Sequence, residues 1–170
     1  MATIGYLAFA LFPLAMAFAA LSDLFTMTIS NRLSLALLAG FVILFPLTGA
    51  DLNTLSMHLL SGGIVLAVTF ACFALGWIGG GDAKFASAIA LWVGWSHVFD
   101  FVLTSAIFGG VLTMVVLVFR KSIVLPASVS SPEWLERLHD SRSGVPYGIA
   151  LAAAAMMIYP ETIWMHIAAL

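Results

Sequence analysis

Residues 101–119 read FVLTSAIFGGVLTMVVLVF, nineteen positions without one charged side chain. About 20 mostly apolar residues cross roughly 30 Å of hydrocarbon, so this run alone reads as a membrane-spanning helix. Asp100 stands at one end of it, and Arg120 and Lys121 at the other. Five further segments have the same character: Ile4–Leu21, Leu33–Gly49, Met57–Ile78, Ala83–Val98 and Tyr147–Ala169. The fourth of the six spans is short, and only a few residues around His97–Asp100 join it to the fifth. The expected fold is all-α, a polytopic membrane protein of six spans forming one integral-membrane domain over residues 1–170.

The composition agrees. Of 170 residues, 63% are hydrophobic and 8% charged, with a mean hydropathy of +1.14. Soluble domains carry roughly 45–50% apolar and about 25% charged residues, and a globule of this size has too much surface to hide the excess. Disorder needs the opposite balance. The net charge of −2 leaves no basic surface for nucleic acid. Cys72 is the only cysteine; it has no partner for an internal disulfide and reads as a small packing residue. No Lys or Arg precedes Arg32, so Met1–Leu21 is expected to be a retained span rather than a cleaved signal.

Charge placement orients the six spans. One face receives the joints 22–32, 79–84 and 120–146, which together hold Arg32, Lys84, Arg120, Lys121, Arg137 and Arg142, every Lys and Arg of the chain. The positive-inside rule puts these joints in the cytoplasm and both termini outside. The longest joint, 120–146, is a cytoplasmic loop in which Ser130-Ser131-Pro132-Glu133 resembles a helix start, with a serine cap, an early proline and an acid in the first turn. Trp134, Leu135 and Leu138 then share one side, opposite Glu136, Arg137 and Asp140. A short amphipathic helix lying in the interface follows.

Two acids stand apart. Asp23 follows the first span directly, and Asp82 sits between the third and fourth in Gly79-Gly80-Gly81-Asp82-Ala83-Lys84. Two crossings separate them, so both return to the same face, and their places at span ends allow them the same depth. An ionisable group at a bilayer edge is costly and marks function by default. The plainer alternative is that each caps a helix or sits among headgroups, as Asp51 and Asp100 are expected to do. The three glycines favour the functional reading at Asp82, because they admit unusual backbone conformations and close approach by another segment. Two carboxyls in hydrogen-bond reach cannot both ionise and hold one proton between them. The ionised member draws a proton from water while the protonated one polarises a peptide carbonyl, which is hydrolysis without a covalent intermediate or metal. Lys84 either points inward to favour ionisation or snorkels to lipid phosphate.

Other chemistries lack support. His58, His97, His139 and His166 are dispersed along the chain and assemble no evident metal site. No Gly-x-Ser-x-Gly run is present, and the triple glycine lacks the Gly-Lys-Ser/Thr ending of a phosphate loop. No cofactor is expected. The competing class is a small transporter using Asp23 and Asp82 as a proton or cation relay, which would require acids deep in the spans.

Gly79-x-Gly81-Asp82 followed by Ala83-Lys84 resembles the Gly-x-Gly-Asp motif of intramembrane aspartyl proteases. Ser22-Asp23 with Ile29-Ser30-Asn31-Arg32 resembles the segment around the first catalytic aspartate of type IV prepilin peptidases. Val145-Pro146-Tyr147-Gly148-Ile149-Ala150 is similar to the Pro-Phe-Gly-Pro-Ala stretch opening that family's last helix. The resemblance implies a membrane-embedded endopeptidase of the bacterial inner membrane. It would cleave the basic leader from prepilins at the cytoplasmic edge. Asp23 and Asp82 would be the catalytic pair, Gly79 and Gly81 would shape the backbone at Asp82, and Asn31, Lys84, Pro146 and Gly148 would support them.

Larger members carry a cytoplasmic domain with paired Cys-x-x-Cys motifs and also methylate the new N-terminus. With Cys72 alone, this chain resembles the short, peptidase-only branch linked to Flp/Tad-type pili, like CpaA or TadV, and methyltransferase activity is expected to be absent. Ser30 replaces the proline usual before Asn31, and Tyr147 and Ile149 replace Phe and Pro. The expected partners are the prepilin, with its basic leader and apolar helix, and the bilayer itself. Ala106 and Gly110 are small residues suited to close helix packing, expected first to be internal to the fold and in the alternative to receive the substrate helix. A non-catalytic scaffold of pilus assembly is the remaining alternative.

Overall fold

The computed structural model describes residues 2–122 and 132–168, with side chains described for residues 10–122 and 132–165. Every regular element among these residues is helical: α1 (Ala2–Thr26), α2 (Asn31–Leu44), α3 (Leu52–Ala74), α4 (Gly80–Val93), α5 (Trp95–Ser122), α6 (Glu133–His139), α7 (Tyr147–Ile158) and α8 (Ile163–Ala168). Short 3₁₀ turns at Phe45–Thr48 and Tyr159–Glu161 extend α2 and α7. Three stretches are long and apolar enough to cross a membrane: Asn31–Thr48, Leu52–Ala74 and Trp95–Ser122, with Ala10–Thr26 a shorter apolar helix. Their outward faces carry large apolar side chains, among them Val111, Met114 and Val118 on α5. A helix apolar all round suits lipid, where its backbone satisfies itself.

α4 lies at the centre, packed by α2, α3, α5 and α7, with all of Ala88–Val93 buried. Fourteen residues of helix rise only about 21 Å, less than the roughly 30 Å of a hydrocarbon core, and the chain turns into α5 through Gly94. The expected junction at His97–Asp100 is therefore corrected, because those residues belong to α5. Gly94 has φ 79°, a left-handed value that L side chains avoid. A Cβ there would also meet the His58 ring at 2.7 Å. The last carbonyls of a helix lack intrahelical donors, and in an apolar surrounding they need others. Ser61 Oγ donates to the Ala90 carbonyl at 2.8 Å, and His58 Nδ1 bonds the Leu91 carbonyl at 2.7 Å. Trp164 Nε1–H donates to the Trp92 carbonyl at 2.9 Å. His58 is thus a satisfied core histidine.

Around this end an aromatic cluster seals the bundle. Trp92 and Trp164 lie 4.5 Å apart between centroids, Phe12 stacks on Tyr159 at 4.3 Å, and Trp92 Nε1–H reaches the Leu37 carbonyl at 2.9 Å. The expected single helix over Tyr147–Ala169 breaks here. Pro160 has no N–H and clashes with a continuing helix, so the chain passes through a 3₁₀ turn before α8. The opposite end of α4, with Asp82 in its first turn, carries the acids.

The turn from α1 to α2 is built by its own hydroxyls. Thr26 Oγ1 bonds the Ser22 carbonyl at 2.7 Å, its hydroxyl meets that of Thr28 at 2.7 Å, and Ser22 Oγ donates to the Thr28 carbonyl at 3.1 Å. Ser30 caps α2, accepting from the Arg32 N–H, so the residue standing in place of proline performs a cap's work. Met27 closes α1 with φ 53°, costing roughly 1–2 kcal/mol for a non-glycine. Met27→Gly is expected to raise stability by about 0.5 kcal/mol, after subtracting glycine's added unfolded-state entropy, read as a small rise in Tm.

Asp51 is a plain cap, accepting from the Thr54 N–H at 2.9 Å. The hydroxyl and N–H of Thr54 hold its carboxyl below the usual carboxylate range. α6 is present where an interfacial helix is expected, with Trp134, Leu135 and Leu138 half-buried. The serine cap expected at Ser130-Ser131 lies outside the described residues, and Pro132 is the residue preceding the helix.

Candidate active site

Three distant segments meet at one end of the bundle. Asp23, in the last turns of α1, is 4% exposed. Its Oδ2 accepts the backbone N–H of Gly148 at 2.7 Å, across 125 residues of sequence. Gly148 opens α7 behind the buried Pro146, where the N–H groups of a helix have no intrahelical acceptor and attract an anion. Asp82 is half-buried and within electrostatic reach of Asp23. It is the third residue after the N-cap Gly79, and its carboxyl takes a hydrogen bond from the Gly79 N–H. This is the return half of a capping box, supplied by an acid at the usual position.

Ile29 is the pin between these parts. A Cβ on Gly81 would lie 3.3 Å from the Ile29 carbonyl oxygen, and one on Gly148 would lie 2.6 Å from Ile29 Cδ1. The hydroxyl-bonded turn 26–30 therefore wedges one buried side chain between the start of α4 and the start of α7. The glycines before Asp82 serve room rather than unusual torsions, since positive φ occurs at Gly49, Gly76 and Gly94 and not at Gly79–Gly81. A Cβ on Gly79 would stand 2.9 Å from Asp82 Oδ2.

Of the residues expected to matter, Asp23, Asp82, Gly79, Gly81, Pro146 and Gly148 come together here. Asn31 and Lys84 form a neighbouring pair: Lys84 Nζ donates to Asn31 Oδ1 at 3.1 Å. Among the described residues the ammonium goes to Asn31 and makes no ion pair with either carboxyl. Ala106 and Gly110 lie on an exposed face of α5. Cys72 is half-buried and in no disulfide. Among the described residues, no three of His, Cys, Asp and Glu gather in a metal-like group.

Two positioning features escaped the sequence. Tyr147 seats its ring on Gly109 of α5 so closely that a Cβ there would lie 2.0 Å from Tyr147 Cζ. The pair Gly109-Gly110 inside a span was the available signal. Arg120, at the end of α5, clamps the loop leading to Gly148. Its Nε donates to the Leu138 carbonyl at 2.7 Å, and its Nη2 to the carbonyls of Ser143 at 3.1 Å and Gly144 at 2.9 Å. Trp134 completes the enclosure, edge-on to Phe25 at 5.9 Å. Arg120→Ala is expected to lower turnover about tenfold with helicity retained, a loss equal to one charge-assisted contact. Arg120→Lys keeps the charge but not the planar fork, so it should fail to rescue; full rescue would make Arg120 a topology charge only.

Chemically, the arrangement offers two carboxyls within electrostatic reach of one another, one of them buried and held by a helix N-terminus. A sequence model described as the type IV leader peptidase family matches residues 10–114, more than half the chain, and spans both aspartates. No curated protein and no solved structure matches the chain.

Proposed function

Because the chain belongs to the type IV leader peptidase family, we propose that it is an aspartyl endopeptidase that removes the basic leader of a Flp/Tad-type prepilin at the cytoplasmic edge of the bacterial inner membrane. The observation carrying this reading is the Asp23 carboxyl, buried and bonded to Gly148 N–H, with Asp82 in its electrostatic reach.

The pair holds one proton. The ionised carboxyl takes a proton from a water molecule, whose oxygen attacks the scissile carbonyl carbon. The protonated carboxyl donates a hydrogen bond to the carbonyl oxygen. Collapse of the tetrahedral intermediate breaks the C–N bond, and the proton taken from water passes to the leaving amine. One new carboxyl and one new amine result. The protons belong to the pair, so neither aspartate is assigned a fixed role. The Gly148 N–H occupies one oxygen of Asp23 and holds the carboxyl in place through the cycle.

A six-span topology with both termini outside fits this reading. It puts the carboxyl end of the bundle in the cytoplasm, where Arg32, Lys84, Arg120 and α6 also lie. A prepilin presents a charged leader followed by an apolar helix, so its cleavage point sits where lipid meets cytosol and reaches the enzyme by lateral diffusion. Glu133 of α6 pairs with Arg137 at 3.1 Å, and Asp140, just past the helix, accepts from the Arg142 N–H. With Glu136 these are the acids that would meet a basic leader.

The test is co-expression with Flp-type prepilins followed by mass spectrometry of the pilin N-terminus. The expected product is a leaderless, unmethylated pilin. Unprocessed pilin beside correctly inserted enzyme would overturn the peptidase reading, and a methylated terminus would overturn the peptidase-only one.

A further inference from the structure

α2 and α3 both pack on α4 and make little contact with one another, leaving a groove of about 500 Å³ between them. Its walls are leucines, Leu35 and Leu38 on one side and Leu59 and Leu66 on the other. All four are at least 43% exposed, so the groove opens sideways, toward lipid. Its floor, Ser87 and Ala88 of α4, is made of small side chains.

One end of this apolar slot is polar in a specific way. Asn31, Ser34 and Lys84 line it, and the Lys84 ammonium donates to Asn31 Oδ1. An ammonium has no acceptor, so the amide oxygen must face it and the amide NH₂ is left as a donor. Lys84 keeps further N–H groups, and the Ser34 hydroxyl adds another donor. Neither ion pair among the described residues involves Lys84. The mouth is thus a cluster of donors carrying an uncompensated positive charge at the head of an apolar trough.

We propose that this groove is a binding site for one anionic phospholipid, with an acyl chain between α2 and α3 and the phosphate on Lys84 and Asn31. Charge complementarity selects the occupant. An oxyanion on an apolar tail satisfies both the donors and the leucines. A basic leader would meet the Lys84 charge with repulsion, and a zwitterionic lipid would cancel its own phosphate with a second cation at the mouth, leaving the net positive charge uncompensated. Lys84 follows Asp82 by two residues and Asn31 begins α2, so the mouth lies at the same end of the bundle as the carboxyls. The lipid closes a gap that protein contacts leave open, and the site holds whether or not the chain is a peptidase.

The test is native mass spectrometry of the full chain in detergent, titrated with dioleoyl phosphatidylglycerol or with phosphatidylcholine of the same chains. Both lipids present a phosphate, but phosphatidylcholine brings a quaternary ammonium with it, a second cation beside Lys84, so the first phosphatidylglycerol adduct is expected to exceed the phosphatidylcholine adduct about tenfold. Lys84→Gln keeps a donor for Asn31 but removes the charge, and should bring the two lipids to parity. Gly63→Leu should remove the preferred adduct by filling the groove. Gly63 lines the slot, and a Cβ there meets nothing within 4 Å, so the variant should keep its helicity. Arg32→Gln, one residue from Asn31 but outside the lining, should keep the preference. A lipid ratio unchanged in Lys84→Gln and Gly63→Leu, or lost equally in Arg32→Gln, would mean general annular lipid and overturn the site. In cells, a photo-reactive residue at Leu38 should carry a lipid-sized adduct. A protein-sized adduct in its place would give the groove to a helix and overturn the proposal.

Discussion

Asp23→Asn and Asp82→Asn, each made alone, are expected to stop prepilin cleavage, with a fall of at least 10²–10⁴-fold, the usual worth of a positioned acid or base. Either amide removes both functions of the pair at once, because it neither takes a proton from water nor shares one with its neighbour. Two equal losses, rather than one severe and one mild, are expected of a unit whose members share one proton. Asparagine keeps the side-chain shape, and at residue 23 its amide oxygen still accepts from Gly148 N–H. Expression, insertion and helicity should therefore persist, measured by circular dichroism beside the processing assay. Full processing by either variant would remove the shared-proton mechanism.

Gly148→Ala should cost nearly as much for a different reason. The added methyl would stand 2.9 Å from Asp23 Oδ2 and 2.6 Å from Ile29 Cδ1. Both atoms belong to buried side chains that must shift to admit the methyl, so some loss of folding stability is expected beside the loss of rate. What moves is the carboxyl itself. A displacement of about 1 Å in a reacting group costs on the order of 10²-fold in rate, and that is the expected fall in turnover. Proteoliposomes with purified prepilin would separate the rate from the amount of folded enzyme. Wild-type turnover with the methyl in place would show that the Gly148 contact is not required.

Much of the architecture could be read from local signals. The apolar runs that became α2, α3 and α5 needed only length and hydropathy, and Asp51 and Ser30 cap their helices by chemistry confined to a few residues. Pro160 was a visible break that the length of the last apolar run concealed. The end of α4 was harder. Nothing near Gly94 tells that His58 and Ser61, on another helix, will supply donors for the carbonyls that a helix ending inside the bundle exposes. Arg120 carried two meanings of which charge patterning reveals one. Its location suited an inner-face cation, while its grip on Leu138, Ser143 and Gly144 depends on a loop folding back over α5.

Composition and the spacing of charges were sufficient to make this chain a bundle of apolar helices with Asp23 and Asp82 at comparable positions, because a bilayer offers the backbone no partner but itself. Neither explains why the acids approach each other. That rests on Ile29 wedged between two glycine-bearing helix starts, and on an N–H of α7 reaching a carboxyl of α1. Contacts between residues so far apart in the chain exist only when every intervening helix has packed, so no local pattern encodes them.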